Sequence, residues 1–135
     1  MPQPAPDALL VRVYYEDTDF SSRVYHASYL RFFERGRTEW LRGRGMAHRE
    51  MAEGSGLVFA VRSLKIDYLA PALMDDLLRV ETAVAAVRGA SMEFRQLILR
   101  GDMKLAAAGV RVAAIQNGRP ARIPAELRRL FQAAP

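Results

Sequence analysis

The chain contains no cysteine. Disulfides, thiolate nucleophiles and thiolate-bound metals are therefore excluded. Histidine is nearly as scarce, being confined to His26 and His48. No cluster of carboxylates accompanies both, so no metal site and no metal or redox cofactor is expected. No apolar run approaches the roughly 20 residues that a transmembrane helix needs. Lysine occurs only at Lys65 and Lys104, and the other basic side chains are arginines scattered along the chain. The formal net charge is +5, but no basic block with interleaved aromatics accompanies it, so a nucleic-acid partner is not expected. A nucleophile elbow is missing around Ser55, and Ser21, Ser22 and Ser28 have no base in register. Residues 1–7 lack a basic region followed by an apolar core, so the start does not read as a secretory leader.

What remains is a chain of 135 residues, 50% of them hydrophobic. That suits a single domain with one core. No linker, repeat or low-complexity tract divides it. Residues 1–8 read as a flexible arm and 9–135 as one domain, expected in the cytoplasm.

The most informative stretch runs from Val11 to Arg42. Val11, Val13 and Tyr15 alternate with Arg12 and Tyr14, the period of a half-buried strand. A run of acids and hydroxyls follows from Glu16 to Ser22. From about Tyr25 the pattern becomes helical, with Tyr25, Tyr29, Phe32, Phe33, Gly36, Trp40 and Leu41 on one face. A strand, an acidic turn and a helix start make a plausible reaction site. A helix N-terminus presents free N–H groups and the positive end of a dipole, and a neighbouring carboxylate can act as base or nucleophile.

Further along, Met46 to Glu53 reads as a short helix and Leu57 to Tyr68 as a strand. In that strand strict alternation places Val58, Ala60, Arg62, Leu64, Ile66 and Tyr68 on one face and Phe59, Val61, Ser63, Lys65 and Asp67 on the other. Strands are expected over Leu77–Val87, Met92–Leu99 and Lys104–Gln116, joined by tight turns that force antiparallel neighbours. A short helix follows at Pro124–Gln132. One long apolar-faced helix must bury its stripe, and a curved antiparallel sheet is the only large surface available to it. The fold class is α+β, with a five-stranded sheet wrapped around a central helix. Gly36 interrupts the buried helix face and is read as a point of close backbone approach.

The segments Val11-Arg12-Val13-Tyr14-Tyr15-Glu16-Asp17-Thr18-Asp19, Val24-Tyr25-His26-Ala27-Ser28-Tyr29, Phe33-Glu34-Arg35 and Arg37-Thr38-Glu39 carry a family resemblance. It extends loosely through Tyr68-Leu69-Ala70-Pro71-Ala72, Asp75-Asp76 and Met92-Glu93-Phe94. The chain resembles the hot-dog-fold acyl-CoA thioesterases of the 4-hydroxybenzoyl-CoA thioesterase class, closest to their Tol–Pal-associated branch. The resemblance implies hydrolysis of an acyl-CoA, with a short-chain or aromatic acyl group, by a homodimer or tetramer without metal. It gives Asp19 the role of catalytic carboxylate, as nucleophile or general base. It gives the backbone N–H at His26 the role of polarising the thioester carbonyl. Relatives carry glycine between the acid and the helix, where this chain has Phe20-Ser21-Ser22-Arg23. A positive φ at Ser22 would strain that serine, although a serine can also cap a helix.

For the remaining roles, turn hydrogen bonding is the simpler reading of Asp17. Tyr25, Tyr29, Phe59 and Tyr68 are expected to line the substrate pocket. The phosphates of CoA suit planar guanidinium groups. Arg88, with Ser91 in the same turn, is the first choice for them, followed by Lys65 and Arg62, for which a solvated charge competes. An acyl carrier protein could replace CoA as the thiol. Two alternatives stay open: a hot-dog hydratase or dehydratase acting on carrier-protein thioesters, and a non-catalytic acyl-CoA-binding module.

Overall fold

The structure is a computed structural model that describes residues 8–46 and 48–133. Strand β1 (Leu9–Arg12) leads through a single 3-10 turn (Tyr15–Asp17) and an irregular loop to helix α1 (Ser28–Arg42). The short helix α2 (His48–Gly54) follows, then β2 (Leu57–Tyr68), β3 (Leu77–Val87), β4 (Ser91–Arg100) and β5 (Met103–Gln116). A two-residue strand β6 (Arg119–Pro120) and helix α3 (Ala125–Ala133) close the chain. The five long strands form one antiparallel sheet in the order β1-β3-β4-β5-β2, with β6 paired to β5. The expected α+β architecture is therefore present. Its boundaries differ at the start: the first strand stops at Arg12, and the helix begins at Ser28 rather than Tyr25.

Helix α1 packs against β1, β3 and β4. It buries Tyr29, Phe32, Phe33, Trp40 and Leu41 against inward residues that include Leu78, Val80, Met92, Phe94 and Ile98. Burying each of these large side chains contributes about 1.5–3 kcal/mol relative to leaving it exposed. Helix and sheet approach closely at Gly36. A Cβ there would stand 2.8 Å from Val80 Cγ1, 2.9 Å from Thr82 Oγ1 and 3.0 Å from Gln96 Nε2. The glycine is a packing residue, as its place on the apolar face suggested.

The faces of β2 differ from strict alternation. The pairing with β5 shifts register between Val61 and Ser63. Phe59 and Val61 pair with Ala114 and Val112, while Leu64, Ile66 and Tyr68 pair with Val110, Ala108 and Ala106. Those five residues of β5 alternate along one face and are all buried. The bulge at Arg62 thus inverts half of the expected assignment, because an extra residue moves every later side chain across the sheet. Phe59 and Val61 now share the core-side face with Leu64, Ile66 and Tyr68. Much of this row is uncovered: Val61 is 52% exposed, Leu64 38% and Tyr68 49%.

Candidate active site

The loop between the 3-10 turn and α1 folds back on itself. An isolated bridge pairs Thr18 with Val24, and Arg23 bridges to Leu73 in the β2–β3 connection. The Asp19 N–H donates to Arg23 O (2.9 Å), and the Ser22 N–H donates to Asp19 O (3.2 Å). Ser22 takes φ = 62° at the tip, a left-handed conformation that glycine adopts without cost. Neither Ser21 nor Ser22 caps the helix. The N-cap position is Ala27, which makes no side-chain hydrogen bond to the helix.

Asp19 is exposed on this turn. Its Oδ1 accepts from the Ser21 N–H (2.8 Å) and the Ser21 hydroxyl (2.6 Å). The hydroxyl hydrogen bond, the backbone hydrogen bond and then the charge of Arg23 hold the carboxyl below the usual aspartate range. The group is thus ionised at neutral pH. Its Oδ2 has no hydrogen bond among the described residues.

Asp17, the other acid of the pair, is buried and structural. Its Oδ2 accepts from the Tyr14 N–H (2.9 Å) and its Oδ1 lies 3.7 Å from Arg31 Nη2. This is the turn hydrogen bond expected for it. The Tyr25 N–H donates to Asp17 O (2.8 Å) and the Ser28 N–H to Tyr25 O (2.8 Å). The N–H groups of His26 and Ala27, between them, make no hydrogen bond among the described residues. Two amides at the start of α1 are therefore free to receive an oxygen.

Around those amides the side chains are ordered by the neighbouring strand. The Tyr68 hydroxyl donates to His26 O (2.9 Å), and its ring meets Tyr29 edge-on with centroids 5.1 Å apart. Burial, and then Tyr29, push the Tyr68 phenol upward, so it remains a donor. The Tyr29 hydroxyl accepts from the Ala72 N–H (3.0 Å), and the Val24 N–H donates to Ala72 O (2.9 Å). The Tyr25 and His26 rings lie 4.6 Å apart, both exposed. Tyr25, Tyr29 and Tyr68 therefore gather with His26 at one corner. Phe59 does not join them within the chain. It lies nine positions along β2 from Tyr68, about 30 Å at strand rise. There it packs against Phe131 and lines a different cleft.

The proposed phosphate ligands are also divided. Arg88 and Ser91 share the β3–β4 turn, where the Arg88 N–H donates to Ser91 O (2.8 Å). Arg88 Nε lies 3.7 Å from Glu93, which Arg111 engages at 2.8 Å. The Arg111 hydrogen bond is the main cause that lowers the Glu93 carboxyl. Arg128 donates to the carbonyls of Gly89 (3.0 Å) and Arg88 (3.3 Å), so a second guanidinium joins this end. Lys65 stands apart, exposed on the outer face of β2 opposite Gly109.

Two features were not anticipated from the sequence. One is the Tyr68–His26 hydrogen bond, which only the strand's final register reveals. The other is Arg37, a buried charge on the core face of α1, whose position among Phe33, Gly36 and Trp40 was the available signal. Among the described residues, no group of three or more His, Asp or Glu side chains could hold a metal ion.

An antiparallel sheet curled around a central helix, with an ionised acid on the turn into that helix, defines a hot-dog-fold protein. Residues 22–107 match the thioesterase superfamily. The chain is 46% identical over 123 residues to the acyl-CoA thioesterase YbgC of Haemophilus influenzae, covering 90% of each chain. It is 46% identical over 96 residues, 70% of each chain, to the acyl-CoA thioester hydrolase YbgC of Escherichia coli O6:H1. The crystal structure of a probable thioesterase from Bartonella henselae superposes with a TM-score of 0.84 at 43% identity, covering 87% of this chain and 98% of that one. The chain belongs to the thioesterase superfamily.

Proposed function

We propose that this protein hydrolyses acyl-CoA thioesters at the corner formed by Asp19 and the start of α1. The observation that carries the reading is a lowered-pKa carboxylate with one free oxygen on the turn that leads into an uncapped helix start with two free amides. Family membership and the thioesterase names of close relatives support it.

The thioester oxygen is received by the N–H groups at His26 and Ala27. Each such donor lowers the barrier by about 3 kcal/mol in acyl-transfer sites. Asp19 Oδ2 then either attacks the carbonyl carbon or takes a proton from an attacking water. In the first route the C–S bond breaks to give CoA thiolate and an acyl anhydride on Asp19; water then cleaves the anhydride to the free acid and the regenerated carboxylate, and the proton released goes to the thiolate. In the second route water adds directly and Asp19 carries its proton to the departing thiolate. Tyr68 holds the His26 carbonyl, which shares a peptide plane with the Ala27 N–H and so orients that donor. A hydratase would need a histidine and an acid converging across a dimer; within the chain the His26 ring lies against Tyr25.

A second copy of the chain completes the site in this reading. The outer edge of β2 has no strand partner among the described residues and carries exposed apolar side chains. Antiparallel pairing of two β2 strands about a two-fold axis brings the Leu57 end of one chain beside the Tyr68 end of the other. That closure carries Phe59 and the arginines near Arg88 toward the partner's corner, where CoA phosphates would need them. A CoA-linked substrate also accords with a cytoplasmic setting, and an acyl carrier protein is the competing thiol.

The test is release of CoA thiol by the purified full chain across short, long and aromatic acyl-CoAs. Turnover well above the uncatalysed rate is expected for at least one class. Absence of thiol release from every member would sink the proposal.

A further inference from the structure

Arg37 sits on the core face of α1 and is only 9% exposed. Its one hydrogen bond runs from Nη1 to Gln96 Oε1 (3.1 Å). Gln96 is fully committed, since its Nε2 donates to Phe33 O and to Thr82 Oγ1, both at 2.9 Å. Among the described residues Arg37 makes no ion pair within 4.0 Å. A guanidinium carries five N–H donors and keeps its charge at neutral pH. Burial lowers its proton affinity, with the charge of Glu34 acting the other way, but neither supplies a bonded anion. Its Nε and Nη2 make no hydrogen bond among the described residues and are not sealed from solvent, so they open to water, which an incoming anion can replace.

The surroundings show where such a partner would come from. Arg37 lines a cleft of about 610 Å³ between α1 and the Leu57 end of β2. That volume is in the range of small-ligand sites. Its walls are mainly apolar, formed by Leu41, Val58, Phe59, Val61, Phe94 and Val112. Phe59 and Val61, ahead of the bulge, pair with Ala114 and Val112 on the core-side face of β5. The polar exceptions besides Arg37 are Glu34, Thr38 and Arg49, so the lining charges sum to one net positive. An apolar slot with a buried cation in its wall matches an aliphatic chain that ends in a carboxylate.

We infer that Arg37 determines specificity by receiving the distal carboxylate of a dicarboxylic acyl group. The inference rests on the thioesterase reading and on pairing through β2. That pairing places this cleft beside the partner's Asp19 corner, so the acyl chain activated on one copy enters the slot of the other. Arg37 is then a substrate-reading residue and takes no part in breaking the C–S bond.

The experiment compares matched pairs: hexanoyl-CoA with adipoyl-CoA, and octanoyl-CoA with suberoyl-CoA. In the wild type, kcat/KM is expected to favour the carboxylated member of at least one pair by roughly tenfold or more, the size of a charge-assisted hydrogen bond. Arg37→Met should erase that preference while leaving the plain member within about threefold, and Arg37→Lys should restore part of it. Thermal unfolding and sedimentation of each variant accompany the kinetics. Equal hydrolysis of both members of each pair by the wild type overturns the inference and leaves the thioesterase reading standing. This arm needs no variant to fold. Equal losses for both members in Arg37→Met, or dissociation of the oligomer with the preference unchanged, also overturn it, because Arg37 then answers to the partner chain. Hydrolysis of neither member by the wild type counts against both proposals.

Discussion

Ser21 holds Asp19 with two donors at once, its backbone N–H at 2.8 Å and its hydroxyl at 2.6 Å, both on Oδ1. The arrangement leaves Oδ2 free and fixes the carboxylate as an anion on an exposed turn. One residue therefore supplies both the orientation and the charge state that the proposed role of Asp19 requires. Asp19→Asn keeps the shape and most of the hydrogen bonding but removes the charge. Thiol release should fall by at least about a hundredfold, as expected when a positioned base or nucleophile is lost. The melting temperature should move little, because the group is exposed. Undiminished turnover would remove Asp19 from the mechanism.

Ser21→Ala deletes the largest cause of the lowered Asp19 pKa and keeps the backbone hydrogen bond. Folding depresses this carboxyl, so its contribution to stability is present above the ordinary aspartate range. That contribution is lost as pH falls through the lower folded value. In the proposed mechanism the same shift governs activity, since there only the anion is competent. The acidic limb of the kcat/KM profile should lie below the usual aspartate range in the wild type and move upward in Ser21→Ala. Identical limbs in both proteins would show that another group controls the low-pH side.

The turn at this corner was legible because local chemistry set it, whereas the catalytic role of Asp19 came from the family resemblance and stays a proposal. Asp17 and Asp19 lie on a polar turn between two periodic segments, and a turn residue with one short carboxylate has few options. Gly36 was legible for the same reason, as a break in an apolar stripe. The faces of β2 were not, because a bulge leaves no mark in alternation: Arg62 looks like any residue of the strand until its partners on β5 are known. Phe59 and Tyr68 were consequently expected on opposite faces and lie on one, although they line different places. Arg37 escaped because a charge on a helix is ordinarily solvated, and only the sheet above it removes the water. The separation of Lys65 from Arg88 likewise follows from register across strands, which no local pattern specifies.

The left-handed conformation of Ser22 predicts a stabilising change. At φ = 62° an L-residue bears about 1–2 kcal/mol of steric cost that glycine escapes, partly offset by glycine's greater freedom when unfolded. The hydrogen bonds at this residue use only backbone atoms, its N–H donating to Asp19 O and its carbonyl accepting from the Met74 N–H, so they survive replacement. Ser22→Gly should raise stability by roughly 0.5–1 kcal/mol, a few degrees in thermal unfolding. A lower melting temperature would mean that the serine side chain contributes something the turn geometry does not show.

Gly36→Ala tests whether the helix–sheet spacing is as tight as the distances say. Alanine gains about 1 kcal/mol in helix propensity, so the change stabilises an ordinary exposed helix. Here the new Cβ meets Val80 Cγ1 at 2.8 Å, Thr82 Oγ1 at 2.9 Å and Gln96 Nε2 at 3.0 Å. None of the three can retreat easily. Val80 is fully buried and branched at Cβ, while Thr82 and Gln96 are joined to each other and, through Gln96, to Phe33 and Arg37. Overpacking of this kind costs typically 1–3 kcal/mol. The added cost of disturbing a buried hydrogen-bond network tips the balance against the propensity gain. The expected result is a net loss of about 1–2 kcal/mol in denaturant unfolding with an unchanged m-value. The loss should be accompanied by a weakened preference for carboxylated acyl groups, because the Gln96 that anchors Arg37 is displaced. A neutral or stabilising Gly36→Ala would show that α1 can lift from the sheet, and with it the fixed position assigned to Arg37 would fail.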